Sequence, residues 1–174
     1  MCTTLTGANS TQFEIMRSFK SKYVQKCKEL HIEPLQTIVH LSDDFDVTPN
    51  AILNLGELTL GQKNAIAIGH ALEGNETFVE IILSESYMGD EGCIAICNAL
   101  VKNKTCLLLN LKGGNIHSKG AASIGRLLKL NLTIQTLILE WNSIGVYDTG
   151  IMEIASALKS NRTLLGMIIL LIIQ

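Results

Sequence analysis

The sequence is poor in aromatic residues, in proline and in net charge. Aromatic side chains make up 5% of the 174 residues, there are 2 prolines, and the formal net charge is -2. Proteins that bind nucleic acid or anionic membrane surfaces carry strongly basic patches, so this charge balance predicts neither class of partner. Because hydrophobic residues still make up 47% of the chain, aliphatic side chains must fill the core.

Long apolar runs are also missing. No run approaches the ~20 apolar residues that a membrane-spanning helix needs. The polar segment 1–13 lacks the apolar centre of a secretory signal. The 5 cysteines are odd in number and irregularly spaced, which, without a secretory signal, favours a reducing compartment. We therefore expect a cytoplasmic protein.

Patterns typical of catalytic and cofactor sites are absent from the sequence. There is no Ser-His-Asp set, no HExxH and no glycine-rich phosphate loop, and the 4 histidines are scattered. Cys93 and Cys97 lie one helical turn apart, but they lack the histidine or cysteine partners that zinc requires. We predict no catalytic residue, no metal ligand and no cofactor, and we interpret the cysteine pair as core packing.

The sequence does contain a spaced aliphatic pattern, which is clearest in residues 134–145 (IQTLILEWNSIG). Ile134, Leu137, Leu139, Asn142 and Ile144 follow the spacing L-x-x-L-x-L-x-x-N-x-I. The alternation around Leu137 and Leu139 predicts a short strand with one buried face. Asn142 is predicted to turn the chain, since its amide can satisfy backbone groups that leave the strand.

The same spacing recurs, which predicts an array of repeats. We assign repeats to residues 51–77, 78–105, 106–133 and 134–163, with an incomplete fifth from residue 164. A period of 28 residues with a full helix in each repeat predicts an α/β fold, a right-handed strand-helix solenoid with parallel strands on the concave face. Residues 1–10 are expected to be disordered, and residues 11–50 are predicted to form a helical N-terminal cap.

Four Asn-x-Thr triplets begin at Asn75, Asn103, Asn131 and Asn161, in step with the repeats. Each matches the glycosylation sequon, but their regular recurrence favours a structural interpretation. We predict that each Asn ends a helix and that each Thr bonds the backbone at the loop into the next strand.

Strand residues that point away from the helices are the candidate partner-binding residues. They are Glu80, Ile82, Ser84, Leu108, Asn110, Lys112, Thr136, Ile138, Glu140 and Trp141. Neighbouring strands lie about 4.8 Å apart, so Ile82, Asn110 and Ile138 should share one column and Ser84, Lys112 and Glu140 the next. Lys112 and Glu140 are predicted to pair across adjacent strands.

Trp141 is the strongest single candidate, because an accessible Trp is a typical interface anchor. Gly113 precedes it in the same column and leaves room for the indole to lie over the neighbouring repeat. The alternative is that Trp141 only covers backbone left bare by Gly113.

The 28-residue repeats resemble the ribonuclease-inhibitor class of leucine-rich repeats. The resemblance covers roughly residues 13–166 and is carried by FEIMRSFKSKYVQKCKELHIEP, NLKGGNIHSKGAASIGRLL and IQTLILEWNSIG, and by the two-residue longer fourth repeat. It is closest to a centrosomal member of that class. The resemblance implies a scaffold in the fibrous linker that joins the two centrioles, with centrosomal linker proteins as partners.

Three functional hypotheses follow for the chain. The first is a non-enzymatic protein-interaction scaffold, since repeated strands form a wide surface without an enclosed pocket. The second is an enzyme regulator, either an inhibitor or a GTPase-activating protein. The third is a shortened gene product that lacks further repeats and a coiled coil. The apolar segment 167–173 also predicts self-association through an uncovered edge strand.

Overall fold

The computed structural model describes residues 18–41, 50–145 and 149–168. Three predictions therefore lie outside the described residues, in whole or in part. They concern the disordered N-terminus (1–10), two parts of the N-terminal cap (11–17 and 42–49) and most of the apolar C-terminal segment (169–173).

The described chain alternates strands and helices after two N-terminal helices. The helices are α1 (Phe19–Glu29), α2 (Gln36–Val39), α3 (Gly61–Leu72), α4 (Gly89–Leu100), α5 (Ser118–Leu130) and α6 (Thr149–Ser160). The strands are β1 (Ala51–Asn54), β2 (Phe78–Ile82), β3 (Leu108–Asn110), β4 (Thr136–Ile138) and β5 (Gly166–Ile168). The five strands form one parallel sheet in sequence order, with a helix connecting each strand to the next. The predicted strand-helix solenoid is confirmed.

In β1 to β4, period-two alternation places one face of the strand against the helices. Leu53, Ile81, Leu109 and Leu137 are paired side by side across β1 to β4, and all four are 1% exposed or less. Burial of a Leu or Ile side chain contributes roughly 1.5 to 3 kcal/mol. Because the buried column repeats in each strand, one continuous aliphatic core runs along the solenoid.

Small residues on the helix faces allow neighbouring helices to approach closely. A Cβ built on Gly69 would lie 2.7 Å from the backbone carbon of Ala95 on the next helix. A Cβ on Gly125 would lie 2.7 Å from the backbone carbon of Glu153. A larger side chain at either position would push two helix backbones apart, so these glycines determine the helix spacing.

The N-terminal helices cover the first end of the core. Ser18 caps α1 by accepting a hydrogen bond from the Ser21 amide at 3.1 Å. Tyr23 is fully buried, and its hydroxyl donates to Asn64 Oδ1 of α3 at 2.6 Å. Burial raises the pKa of Tyr23 well above its usual value. These contacts bind the cap to the first repeat. The boundary between cap and repeats at residue 50 stays a prediction.

Asparagines join successive repeats at the loops between helix and strand, here called the helix-to-strand edge (residues 75–77, 103–105, 131–133 and 161–163). Asn131 is 2% exposed and donates to the carbonyls of Leu100 and Asn103 at 2.8 and 3.0 Å. Its Oδ1 accepts from the amides of Thr133 and Ile134, both at 2.8 Å. Asn103 and Asn161 accept from the equivalent two amides, and each donates to one carbonyl of the preceding repeat. The triplets therefore have a structural role. The prediction that each Asn ends a helix is wrong for Asn75 and Asn103, because α3 and α4 end at Leu72 and Leu100, whereas Asn131 and Asn161 directly follow α5 and α6.

Among the described residues, no helix is both long enough and apolar enough to cross a membrane.

Candidate functional site

The concave columns predicted from the repeat spacing are present in the sheet. Ile82 pairs with Asn110, and Asn110 pairs with Ile138. The next column continues beyond the strands through backbone hydrogen bonds, from the Glu85 amide to Lys112 O at 2.7 Å and from the Gly113 amide to Glu140 O at 2.9 Å. The ten candidate residues therefore share one surface. Nine of them are half-buried and Trp141 is exposed.

Lys112 and Glu140 form the predicted ion pair across adjacent repeats. The distance from Lys112 Nζ to Glu140 Oε2 is 3.8 Å, and the two side chains are 36% and 30% exposed. A pair this accessible contributes only ~0 to 1 kcal/mol to stability. Its main effect is therefore to neutralise the Lys112 charge on this part of the surface.

The turns that follow the strands share a left-handed backbone position. Glu57, Glu85, Gly113 and Trp141 stand at the same place in four successive repeats, with φ of 63°, 54°, 61° and 56°. Only glycine adopts this conformation without steric cost. We call these turns, residues 55–60, 83–88, 111–116 and 139–144, the strand-to-helix edge.

The residue after the left-handed position is buried in the last three of these turns, and it is Ser86, Gly114 or Asn142. Asn142 is 4% exposed and donates to the carbonyls of Leu111 and Leu139 at 2.8 and 3.0 Å, and its Oδ1 accepts from the Ile116 amide at 3.0 Å. The Asn142 amide thus bonds backbone groups of the turn, as predicted from the sequence. Ser86 stands at the same place in the second repeat, is fully buried, and has no hydrogen-bond partner for its hydroxyl among the described residues.

The strand-to-helix edge contains a hollow of about 330 Å³ between the second and fourth repeats. It is lined by Glu85, Tyr87, Lys112, Gly113, Asn115, Trp141 and Ser143. Of the ten predicted residues, the hollow brings together only Lys112 and Trp141. The others line the open concave surface beside it.

Glu85 occupies the space beside Gly113. The three atoms nearest to a Cβ built on Gly113 all belong to the Glu85 carboxyl group, and the contact is too close for a side chain. The room that Gly113 provides is thus taken by a carboxylate from the preceding repeat, where the sequence had suggested the indole of Trp141. Trp141 remains 54% exposed.

Sequence reasoning missed Tyr87, which is 59% exposed and lines the hollow. It lies two residues beyond Glu85 in a turn whose buried position is the irregular Ser86. The recurrence of the turn was the signal that could have found it, since Tyr87, Asn115 and Ser143 stand at equivalent places in successive repeats.

The cysteines are placed in the core. The sulfurs of Cys93 and Cys97 lie 3.9 Å apart, and Cys93 Sγ is 3.7 Å from the Gly120 carbonyl oxygen. The hydrogen bond to Cys97 and burial raise the pKa of Cys93 well above its usual value. Within residues 18–41, 50–145 and 149–168, no group of three or more His, Cys, Asp and Glu side chains is arranged to hold a metal ion.

Comparison with known proteins identifies repeat proteins as relatives. The chain is 31% identical over 150 residues to leucine-rich repeat-containing protein 45 of Gallus gallus. The match covers 86% of this chain but 22% of that relative, so the chain spans about a fifth of the relative's length. No family model matches the sequence.

A solved structure shows the same architecture. The structure titled Leiomodin-1 Actin-Binding Site 2 (ABS2) superposes with a TM-score of 0.62 and 26% sequence identity. The superposition covers 88% of this chain and 80% of that chain. The similarity agrees with the solenoid described above.

Proposed function

Starting from the premise that the chain is a leucine-rich-repeat solenoid, we propose that it is a non-enzymatic protein-interaction module. Its binding surface is the concave face together with the adjoining hollow at the strand-to-helix edge. The observation that carries the proposal is the exposure of Trp141, 54%, beside the half-buried columns of the sheet. A large exposed aromatic side chain in a semi-enclosed hollow is the feature that anchors protein partners.

A site-specific photo-crosslinking experiment tests this proposal. A photoreactive amino acid replaces Asn110 on the concave face or, as a matched control, Arg126, an exposed residue of α5. We expect discrete crosslinked proteins from position 110 and few from position 126. Equal crosslinking from both positions would contradict the assignment of the surface. Recovery of a small GTPase whose GTP hydrolysis becomes faster with the chain would favour the regulator hypothesis instead.

For the cellular setting we propose the centrosomal linker, with linker proteins as partners. The support is the 31% identity to leucine-rich repeat-containing protein 45 together with the resemblance noted for the sequence. A fluorescently tagged full chain in cultured cells should concentrate at the centrosome, and Trp141→Gly should weaken that signal. Uniform distribution of the unaltered chain would remove the centrosomal part and leave the interaction module in place.

Actin is the second candidate partner. The observation that favours it is the structural similarity to a domain whose title describes an actin-binding site, with a TM-score of 0.62. Co-sedimentation of the chain with actin filaments tests it directly. Pelleting that depends on filament concentration would support actin, whereas a chain that stays in the supernatant at all concentrations would exclude it.

Self-association through β5 is a further proposal. β5 is the last strand in the described sheet and pairs with β4 on one side. A free strand edge is a template for pairing with a second copy. Sedimentation velocity should show oligomers that disappear when residues 167–174 are deleted. Unchanged oligomerisation after the deletion would contradict this route.

A further inference from the structure

The hollow at the strand-to-helix edge has a defined construction. Glu85 and Tyr87 come from the second repeat, Gly113 and Asn115 from the third, and Trp141 from the fourth. Strands of adjacent repeats are about 4.8 Å apart, so the turns that carry the two aromatic residues are about 10 Å apart. Since Gly113 has no side chain, the third repeat forms a low floor between two aromatic walls.

The charges of the hollow do not balance. Lys112 is paired with Glu140. Glu85 has no ion-pair partner among the described residues, and its carboxyl group lies over Gly113. The three ionisable groups therefore leave one negative charge on the floor of the hollow.

The aromatic side chains reinforce the preference for a cation. Tyr87 and Trp141 are 59% and 54% exposed. The faces of aromatic rings attract cations, and Trp does so most strongly. Among protein cations, the planar guanidinium of arginine stacks on aromatic faces and also makes hydrogen bonds to a carboxylate. A hollow of about 330 Å³ is at the small end of ligand pockets and suits a single side chain.

We propose that this hollow binds an arginine side chain of the partner protein, with Glu85 accepting hydrogen bonds from the guanidinium and with Trp141 and Tyr87 contacting its faces. The inference rests on the proposed function, because it names the chemistry that this surface recognises. It predicts that partners present an arginine in an exposed, accessible segment.

Trp141 is the only tryptophan of the chain, so its fluorescence reports on the hollow without interference. The experiment titrates the full chain with the peptide acetyl-Gly-Arg-Gly-amide and with the same peptide containing citrulline, which has the shape of arginine without its charge. We expect a saturable change in Trp141 emission with the arginine peptide, at concentrations on the order of millimolar for so small a ligand. The citrulline peptide should bind at least about threefold more weakly.

Two matched variants locate the effect. Glu85→Gln removes the charge of the hollow and should weaken arginine-peptide binding by about twofold to fivefold. Glu57→Gln removes the same charge at the equivalent turn of the first repeat, outside the hollow, and should leave binding unchanged. Equal responses to both peptides, no response, or equal effects of the two variants would overturn the inference.

The outcome can be separated from that of the proposed function. If position 110 crosslinks to protein partners but the arginine peptide has no advantage over citrulline, the interaction module stands and the arginine assignment fails. If the arginine peptide binds through Glu85 but the concave face recovers no partner, the assignment of the hollow stands alone.

Discussion

The two edges of the solenoid are constructed differently. At the helix-to-strand edge, Asn75, Asn103, Asn131 and Asn161 occupy the same place in four repeats, and the last three each donate to a carbonyl of the preceding repeat. At the strand-to-helix edge, the equivalent buried place holds Ser86, Gly114 or Asn142. One edge is uniform in sequence and contact, while the other is irregular.

Main-chain hydrogen bonds link successive repeats at the strand-to-helix edge where Asn is missing. The Gly61 amide donates to Ser86 O at 3.0 Å, and the Gly89 amide donates to Gly114 O at 2.9 Å. Between the third and fourth repeats, Asn142 Oδ1 instead accepts from the Ile116 amide, while the His117 amide, which is equivalent to those of Gly61 and Gly89, donates to Asp90 Oδ1. The two turns that lack Asn are thus joined to the preceding repeat by main-chain bonds. We infer that the helix-to-strand edge holds the repeats together, which leaves the strand-to-helix edge free to carry binding residues.

The largest expected effect is at the uniform edge. Asn131→Ala removes two donated and two accepted hydrogen bonds and leaves buried backbone groups unpaired, so the free energy of unfolding should fall by about 3 to 5 kcal/mol. Urea denaturation measures the loss. The control is Asn98→Ala at an exposed position of α4, which should change stability by less than about 0.5 kcal/mol. A loss at Asn131 as small as the control's would remove the distinction between the edges.

Asn142→Ala should cost less, about 2 kcal/mol, even though Asn142 is equally buried. The reason is that main-chain bonds close the same turn where Ser86 and Gly114 stand. The same denaturation experiment provides the comparison. A loss equal to that of Asn131→Ala would show that both edges depend equally on their side chains.

Cys106 lies next to the helix-to-strand edge, where its amide donates to Asn103 Oδ1 at 2.7 Å. Its thiol should make the free energy of unfolding depend on pH. Burial raises the pKa of the Cys106 thiol from 9.0 to about 12. The pKa of the Cys106 thiol is higher in the folded chain than in the unfolded chain. The stability that the protonated thiol contributes is therefore fully present below pH 9 and is lost as pH rises towards 12. Between pH 9 and 10 the unaltered chain should lose about 1 kcal/mol more than Cys106→Val. Parallel pH profiles for the two chains would contradict this.

The smallest expected effect is a gain in stability from a substitution at the strand-to-helix edge. Ser86→Ala removes a fully buried hydroxyl without a partner among the described residues, so stability should rise by about 0.5 to 1 kcal/mol. Thermal denaturation followed by circular dichroism would detect the shift. A loss of stability would mean that the hydroxyl is satisfied in solution, and that the turn depends on its side chain after all.

Much of the architecture could be predicted because repeat spacing determines register. The 28-residue period placed Ile82, Asn110 and Ile138 in one column and Lys112 beside Glu140, and both arrangements are present. For the cap, the sequence predicts only helical structure within residues 11–50, and the described part contains two helices, Phe19–Glu29 and Gln36–Val39. Helix ends depend on local capping as well as on periodicity.

The details of the hollow could not be predicted in the same way. The carboxyl group of Glu85 reaches over Gly113 of the next repeat, a contact that depends on side-chain direction in a left-handed turn. The place of Tyr87 recurs in successive repeats, but the period does not predict its exposure, which results from the left-handed turn. The contact of Tyr23 with Asn64 joins two elements 41 residues apart and depends on how the cap docks.

The most direct test of the account measures binding and stability together in Trp141→Gly. Glycine occupies the same left-handed position in the preceding repeat, so the variant should keep or exceed the stability of the unaltered chain while losing the exposed indole. Glu57→Gly, at the same place in the first repeat, is the control. We predict that the yield of protein crosslinks from position 110 falls at least about fivefold in Trp141→Gly and is unchanged in Glu57→Gly. Equal yields from both variants, at equal stability, would contradict the claim that the strand-to-helix edge carries the binding site.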